Sequence, residues 1–418
     1  MKLLLVAHFF PLPPHDGGRI AFFDTVRYLA RLHEVGVVCL AGRDEEAVAG
    51  ELEKHCSYVR VFRRMAHGDS LRLLCGMILN PPGAGTKYWY RAAGKLIRET
   101  GKEHKPEIVE CHNLNTAIYR GFADRVPTVL REHNVEYKVW ERYAENASSM
   151  VRRSYAKWTA PRIRSYEAEV ASRFDRCVVV SPADAAYLRA VSPDARIEVV
   201  PFGIDAEHFY PLPDVPEEPC SLTITGSFDW GPKQQSLHRL LTKVFPALQA
   251  RLPEAKLYVV GRGVPRELKH EAERMRGIVL TGPVADVRPY IARSSLLINY
   301  MESGGGIAIK VLEAMAMRKP VLCNSLGCEG IPVTHGQDVF VADGPDEFAA
   351  AAARLLKDGS ARARIAESGY RRVTEEYSWH LIARRLGRVY ESLLAERRTV
   401  RPAMESGRLG EVAAIPAP

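Results

Sequence analysis

A chain of 418 residues exceeds what one ordinary hydrophobic core supports, so at least two domains are expected. Apolar residues make up 46% and charged residues 26%, which excludes a disordered, collagen-like or fibrous chain. The net charge of +8 sits mostly in the first half, where residues 1–200 hold 30 Lys and Arg against 24 Asp and Glu, and this favours anionic partners such as phosphates or lipid headgroups. No nucleic-acid-binding motif accompanies that charge, so no nucleic acid is expected.

No stretch reaches the roughly 18 consecutive apolar residues of a membrane-spanning helix. The opening MKLLLVAHFF imitates a signal peptide, but its apolar run ends at His8 with no small-residue cleavage site after it. A buried first strand and a cytoplasmic protein are expected. Eight scattered cysteines, without a CxxC pair or a Cys/His cluster, argue against a disulfide scaffold and a structural zinc site.

Short β-rich runs alternate with longer helical patterns along the chain. In the first half the predicted strands are 2–7, 35–41, 58–62, 107–111, 127–131, 176–181 and 196–200, with a helix over Ile20–Leu32 after the first. In the second half they are 220–226, 255–261, 277–282, 295–300, 319–324 and 338–342. Strand–helix alternation implies parallel sheets covered by helices on both faces, and thirteen strands are too many for one such sheet. Residues 201–219 carry five prolines and five acids and read as a stiff exposed connector between a 1–200 domain and a 220–378 domain. Trp379–Leu394 reads as one more amphipathic helix, and residues 396–418 as a mobile tail.

Two glycine-rich helix entrances are candidates for chemistry. Gly17 and Gly18 precede the first helix, where unpaired N–H groups and the helix dipole favour an anion; the bland alternative is a plain strand–helix turn. Gly304–Gly306 precede a helix carrying Lys310 and Glu313 on one face. There Lys310 suits a phosphate and Glu313 a ribose diol, against the alternative of an exposed Lys–Glu pair.

With these two segments the chain resembles the family 4 retaining glycosyltransferases of the GT-B fold over nearly its whole length. The landmarks are DGGR at 16–19, EHNVE at 132–136, RIEVVPFGIDAEHFYP at 196–211, TGSFDWGPK at 225–233 and KVLEAMAMRKPVL at 310–322. The resemblance implies two Rossmann-like domains facing across a cleft, with a UDP- or GDP-sugar on the second and the acceptor on the first. It places Glu313 at the ribose and implies that the 379–394 helix packs back on the first domain. Because the half-sites lie on separate domains linked by a Pro-rich connector, the domains are expected to close on the donor. The first glutamate of the family's Glu-x7-Glu motif is here Gly305, three residues after Glu302, and the arginine expected after Gly226 is Ser227. Lys233 and Lys310 are therefore expected to supply the positive charge for the diphosphate, the rival for Lys233 being a solvated loop lysine. Arg262, between Gly261 and Gly263, and the 282–284 loop ending in Val284 correspond to the family's base-binding turns. Gly305, Gly306 and Ile307 complete the donor set. His133 corresponds to the catalytic-site histidine or aspartate, against a strand-end histidine as the bland reading, and Lys310 is assigned to catalysis with it. Glu132 and Glu136 are read as salt partners of Arg131 and Lys138 instead.

No Asp-x-Asp occurs, so neither a metal nor any other cofactor is expected. Two rivals stay open beside the transferase: a nucleotide-sugar epimerase and a non-catalytic binding protein of the same fold. For the acceptor, a glycan or a lipid-linked sugar, the stretch Thr86–Lys105 is the informative one. It lines up Arg91, Lys95, Arg98 and Lys102 on one helical face, with apolar residues on another. An anionic surface at the inner face of the membrane fits that face, and so does a solvated helix covering the first sheet.

Overall fold

A computed structural model describes residues 1–14, 16–42, 49–63, 88–123, 126–147, 149–229 and 231–407. The apolar run 71–79, Arg64, Arg72, Trp230 and residues 408–418 lie outside this set. All thirteen expected strands are present, in two parallel sheets. Strands β1 (Lys2–Ala7), β2 (Glu34–Ala41), β3 (Tyr58–Arg63), β4 (Ile108–His112), β5 (Thr128–Arg131), β6 (Arg176–Val179) and β7 (Ile197–Val199) form the first. Its order is β3-β2-β1-β4-β5-β6-β7. The second sheet holds β8 (Glu218–Thr225), β9 (Lys256–Val260), β10 (Ile278–Gly282), β11 (Ser294–Asn299), β12 (Val321–Cys323) and β13 (Phe340–Val341), in the order β10-β9-β8-β11-β12-β13. Each order reverses beside the sheet's first strand, and that reversal opens a crevice at the strands' carboxyl ends.

Both faces of each sheet are covered because the strands are apolar on both sides. Leu3 and Leu5 of β1 point into one core, shared with helix α1 (Gly17–Leu29), while Leu4 and Val6 point into another, shared with helix α2 (Arg91–His104). The first-sheet layer is completed by α3 (Glu136–Asn146), α4 (Met150–Arg173) and α5 (Pro182–Val191). Among the helices of the second are α6 (Gly231–Arg239) and α7 (Ile309–Ala316).

The last helix, α8 (Trp379–Gly407), returns to the first sheet. Its Trp379, Ile382, Leu386, Tyr390 and Leu393 enter the core of β1 and α1. This helix takes in residues 396–407 of the expected tail, and the rest of that tail lies outside the described residues. First-domain charges hold the start of that stretch: Glu396 pairs with Arg176 and Arg196, and Arg397 donates to Asp175 at 2.8 Å.

The connector is also less exposed than its prolines suggest. Phe202, Ile204 and Asp205 are buried. Ile204 accepts from Trp379 N (3.3 Å) and donates to Tyr377 O (2.7 Å), so the two crossings between domains run side by side. Asp205 is tied to α1 by Arg27 and by the Tyr28 hydroxyl (3.1 Å).

Candidate active site

The cleft lies where loops at the carboxyl ends of both sheets meet. On the first domain, Asp16 caps α1 by accepting from Arg19 N (3.0 Å), which leaves Gly17 and Gly18 at the helix mouth. A Cβ on Gly17 would lie 3.7 Å from Ile309 Cδ1, so α1 begins directly opposite α7 of the second domain. Ile307 and Ile309 pack into the first domain's core, which brings the two domains into contact.

The floor on the second domain is made of glycine. Gly226 and Gly261 end β8 and β9 at φ 152° and 140°, where a side chain is strained. A Cβ on Gly261 would sit 1.7 Å from the Gly226 carbonyl, and one on Gly226 would sit 3.2 Å from Lys310 Nζ. Lys310, on the first turn of α7, therefore delivers its amine to the end of β8. Lys233 approaches from α6. It is helical, not a loop lysine, because Pro232 opens that helix, where its missing N–H is harmless.

Burial, together with the nearby Lys233, pushes the Lys310 amine down to about 7. Burial also lowers Lys233, against the pull of Asp16 and Asp229. Burial pushes Glu313 up to about 7, with Lys310 opposing and Asp24 adding to the rise. Asp24, on α1, is itself raised to about 7, chiefly by burial. Two half-buried amines thus lie close together, Lys310 beside Glu313 and Lys233 near Asp16 and Asp229. The arrangement suits an incoming anion, whose charge would hold both amines in the ammonium form.

Other sequence-derived candidates fall around this centre. Arg262 Nε lies 3.0 Å from Asp229 Oδ2, and Ser227 donates to the same carboxylate at 2.7 Å, so Asp229 organises the turn where a family arginine would stand. Val284 is half-buried in the loop after β10, whose Gly282 carbonyl accepts from Gly261 N at 3.1 Å. The Glu302 carboxylate, three residues before Gly305, pairs with Arg239, 2.8 Å off. Gly305 and Gly306 face the first domain. At Gly306 (φ 69°) a Cβ would come within 2.4 Å of the His133 carbonyl and of the Asn134 amide. With the Asn134 amide turned so that its nitrogen faces the loop, it donates to Gly305 O at 2.8 Å.

His133 follows β5 and is buried, with its Nδ1 3.9 Å from where a Gly18 Cβ would be. Burial holds it well below the ordinary imidazole range, and the neighbouring His112, Arg131 and His8 reinforce this. The expected salt pairs beside it are absent among the described residues. Arg131 instead stacks on Phe202 and donates to the Val200 and Pro201 carbonyls, Lys138 pairs with Glu141, and Glu136 accepts from Asn113 at 3.4 Å. The reason is direction: Arg131 ends a strand facing the connector, while Lys138 lies on the outer side of α3. Sequence reasoning missed Glu110, His112, Arg142 and Glu329. The first two had a signal in the strand end VECH, where alternate polar residues occupy a strand buried on both faces.

The arrangement matches known proteins in both halves. Residues 16–208 match Glycosyltransferase Family 4, and residues 219–358 match the family described as glycosyl transferases group 1. The chain belongs to the group 1, family 4 glycosyltransferases. It is 22% identical over 392 residues to a 44.6 kDa protein in the cps region of Klebsiella pneumoniae, covering 90% of this chain and 96% of that one. It is 28% identical over 202 residues to the phosphatidyl-myo-inositol mannosyltransferase of Mycolicibacterium smegmatis, covering 46% of this chain and 51% of that enzyme. Among solved structures, Anabaena HepE in complex with UDP and glucose superposes with a TM-score of 0.68 at 17% identity, over 94% of this chain and all of that one. Sucrose-phosphate synthase from Thermosynechococcus elongatus gives 0.71 at 18%, over 95% of this glycosyltransferase and all of the synthase. Both show the GT-B fold. Among the described residues no helix is long and apolar enough to cross a membrane, and no group of His, Cys, Asp or Glu could hold a metal ion.

Proposed function

We propose that this glycosyltransferase moves a sugar from a UDP- or GDP-sugar to a hydroxyl of a glycan or lipid-linked acceptor, with retention of anomeric configuration, in the making of a cell-surface polysaccharide. One observation carries the reading: two half-buried lysines close together, at glycine-built strand ends that face a helix mouth across a cleft. That combination suits a diphosphate whose negative charge grows as the sugar leaves. In this reading the second domain, 220–378, holds the donor and the first, 1–200, the acceptor. Lys310 and Lys233 neutralise the leaving group, and no metal is needed for that. Glu313 accepts from the ribose hydroxyls, the Gly261–Gly263 turn with Arg262 and Val284 reads the base, and the Gly305–Ile307 backbone borders the sugar. His133 faces the reacting hydroxyls.

The kinship supports the sugar chemistry. The mycobacterial relatives are named mannosyltransferases, one of them GDP-mannose-dependent, and HepE was solved with UDP-glucose. A panel of nucleotide sugars, scored by slow hydrolysis and thermal shift with and without EDTA, tests the donor. The anomeric proton of the product then reports retention or inversion. Absence of hydrolysis and of any thermal shift across UDP- and GDP-sugars would overturn the reading.

A membrane-proximal acceptor has its own support. On α2, Arg91, Lys95 and Lys102 are exposed, while Ala93 and Ile97 cover the sheet and Arg98 lies half-buried over Phe122. On α4, Met150, Val151 and Trp158 are exposed at 83%, 79% and 40% beside Arg152, Arg153 and Lys157. Basic and apolar side chains together suit an anionic lipid surface. Flotation with vesicles containing phosphatidylglycerol at low and high salt checks this contact, and a protein that stays unbound at low salt lacks it.

A further inference from the structure

A chain of buried polar groups runs from the last helix to His133. Tyr390 of α8 donates to Glu110 Oε2. Glu110 Oε1 lies 2.6 Å from His112 Nε2, with side-chain exposures of 1% and 0%. His112 Nδ1 lies 3.3 Å from His133 Nε2, and the edge of the Phe22 ring closes the side of His112. His133 Nδ1 is the far end, beside Gly18 in the cleft. Strand alternation makes the chain possible, since Glu110 and His112 share one face of β4 and the neighbouring β5 leads to His133.

The proton positions follow from the geometry. A bare ring nitrogen and a carboxylate oxygen 2.6 Å apart would repel, so the pair holds a proton, although the two atoms are not aligned for a straight hydrogen bond. Burial raises the affinity of Glu110 for that proton, but His112, Arg131 and the Tyr390 hydroxyl outweigh burial and hold Glu110 below the usual carboxylate range. The proton therefore belongs to His112 Nε2. Burial keeps His112 neutral against the pull of Glu110, so its Nδ1 carries a lone pair. That lone pair can face His133 only if His133 Nε2 bears hydrogen. His133 is neutral too, beside Arg131, His112 and His8. Its Nδ1 is then bare.

We propose that Glu110 and His112 are positioning residues that fix His133 in its Nε2–H tautomer, so that an unprotonated Nδ1 faces the cleft as a hydrogen-bond acceptor for a sugar or acceptor hydroxyl, with Tyr390 anchoring the chain from the C-terminal helix. This rests on the reading of His133 as a group of the transfer site. The device is a carboxylate orienting one imidazole, which orients a second.

The test uses the full chain labelled with 15N-histidine, and UDP-glucose and GDP-mannose as hydrolysis probes. Two-bond 1H–15N correlations should place the His133 proton on Nε2 and leave Nδ1 bare. Glu110→Gln keeps the shape, but its amide nitrogen can donate to His112 Nε2 and reverse the chain, moving the His133 proton to Nδ1. We expect kcat to fall by about 10-fold or more with KM for the nucleotide sugar nearly unchanged. His112→Asn should largely restore the wild-type pattern, because its Oδ1 stands where the Nδ1 acceptor was. An Nδ1-protonated wild-type His133, or a Glu110→Gln enzyme with wild-type kcat, overturns the proposal. His133→Ala separates the two readings. If it turns over normally, His133 is not a group of the site; if it is impaired while Glu110→Gln is not, the relay alone fails.

Discussion

The Arg142 guanidinium forks onto the Glu329 carboxylate across the interdomain cleft, with Nη1 2.6 Å from Oε2 and Nη2 2.5 Å from Oε1. Arg142 stands on α3 of the first domain, and Glu329 follows β12 in the second. The same guanidinium donates to Gly304 O at 2.8 Å, and the Tyr187 hydroxyl donates to Glu329 at 2.9 Å. Both charged side chains are mostly buried, at 17% and 21% exposure, and a two-pronged pair so placed is stronger than a surface ion pair. The contact lies beside the Gly304–Gly306 loop, so closing the domains and shaping the loop are one event.

Arg142→Met should therefore open the cleft. Losing a charge-assisted pair of this kind costs about 1.5–3 kcal/mol, which shifts the domains toward an open arrangement about their two adjacent crossings. Small-angle scattering should give a larger radius of gyration than wild type, and donor KM should rise. Unchanged scattering would mean that the crossings, not this pair, set the domain arrangement.

Donor affinity should depend on pH with a maximum near 7. A bound diphosphate raises the pKa of Lys310 above its empty-site value of about 7, so binding takes up a proton above that pH and affinity falls as pH rises. Glu313, also near 7 in the empty site, accepts ribose hydrogen bonds best when ionised, so affinity falls again as pH drops below 7. Lys310→Arg should flatten the alkaline side only. Titration calorimetry of the donor between pH 5.5 and roughly 9 reads both limbs; a flat profile would show that neither group meets the donor.

Glu313→Gln removes the acidic limb and one charge-assisted bond. A loss of about 1–2 kcal/mol in donor binding is expected at neutral pH, with the melting temperature held or raised, since burying a neutral amide costs less than burying a carboxylate. Wild-type donor affinity in this variant would leave Glu313 as a buried partner of Lys310 and nothing more.

How much of this was legible in the chain depends on the range of the interaction. All thirteen strands could be read, because runs such as KLLLVA and EVGVVCLA are apolar on both faces wherever they are placed. Lys310 and Glu313 could be read because glycines and a helix start within ten residues surround them. For Lys233 the rival reading of a solvated loop lysine could have been set aside from the chain alone, because Gly231–Pro232 is a helix-opening signal. Pairs between domains were not available in principle: nothing near Arg142 in sequence points to Glu329, 187 residues away. The connector misled for a related reason. Its prolines speak for exposure, while Asp205 is buried by partners on α1 that the local pattern does not name.

Gly305 stands where the family carries a motif glutamate, and restoring that residue tests whether the site was rebuilt around its absence. Gly305 has no left-handed backbone requirement, so a side chain there is tolerated by the main chain. A Cβ at this position would lie 3.2 Å from Val139 Cγ2, 3.9 Å from Asn134 Cβ and 4.0 Å from Arg142 Nη1. All three belong to the first domain. A carboxylate two bonds further along would therefore meet the Arg142 guanidinium and compete with Glu329 for it. Gly305→Glu should give no gain in kcat, should raise donor KM several-fold, and should enlarge the scattering radius as Arg142→Met does. The double variant Gly305→Glu, Glu329→Gln should recover closure, because the new carboxylate then has Arg142 to itself. A single Gly305→Glu enzyme that turns over faster, with scattering unchanged, would show that the carboxylate reaches the sugar and that Arg142 is no obstacle to it.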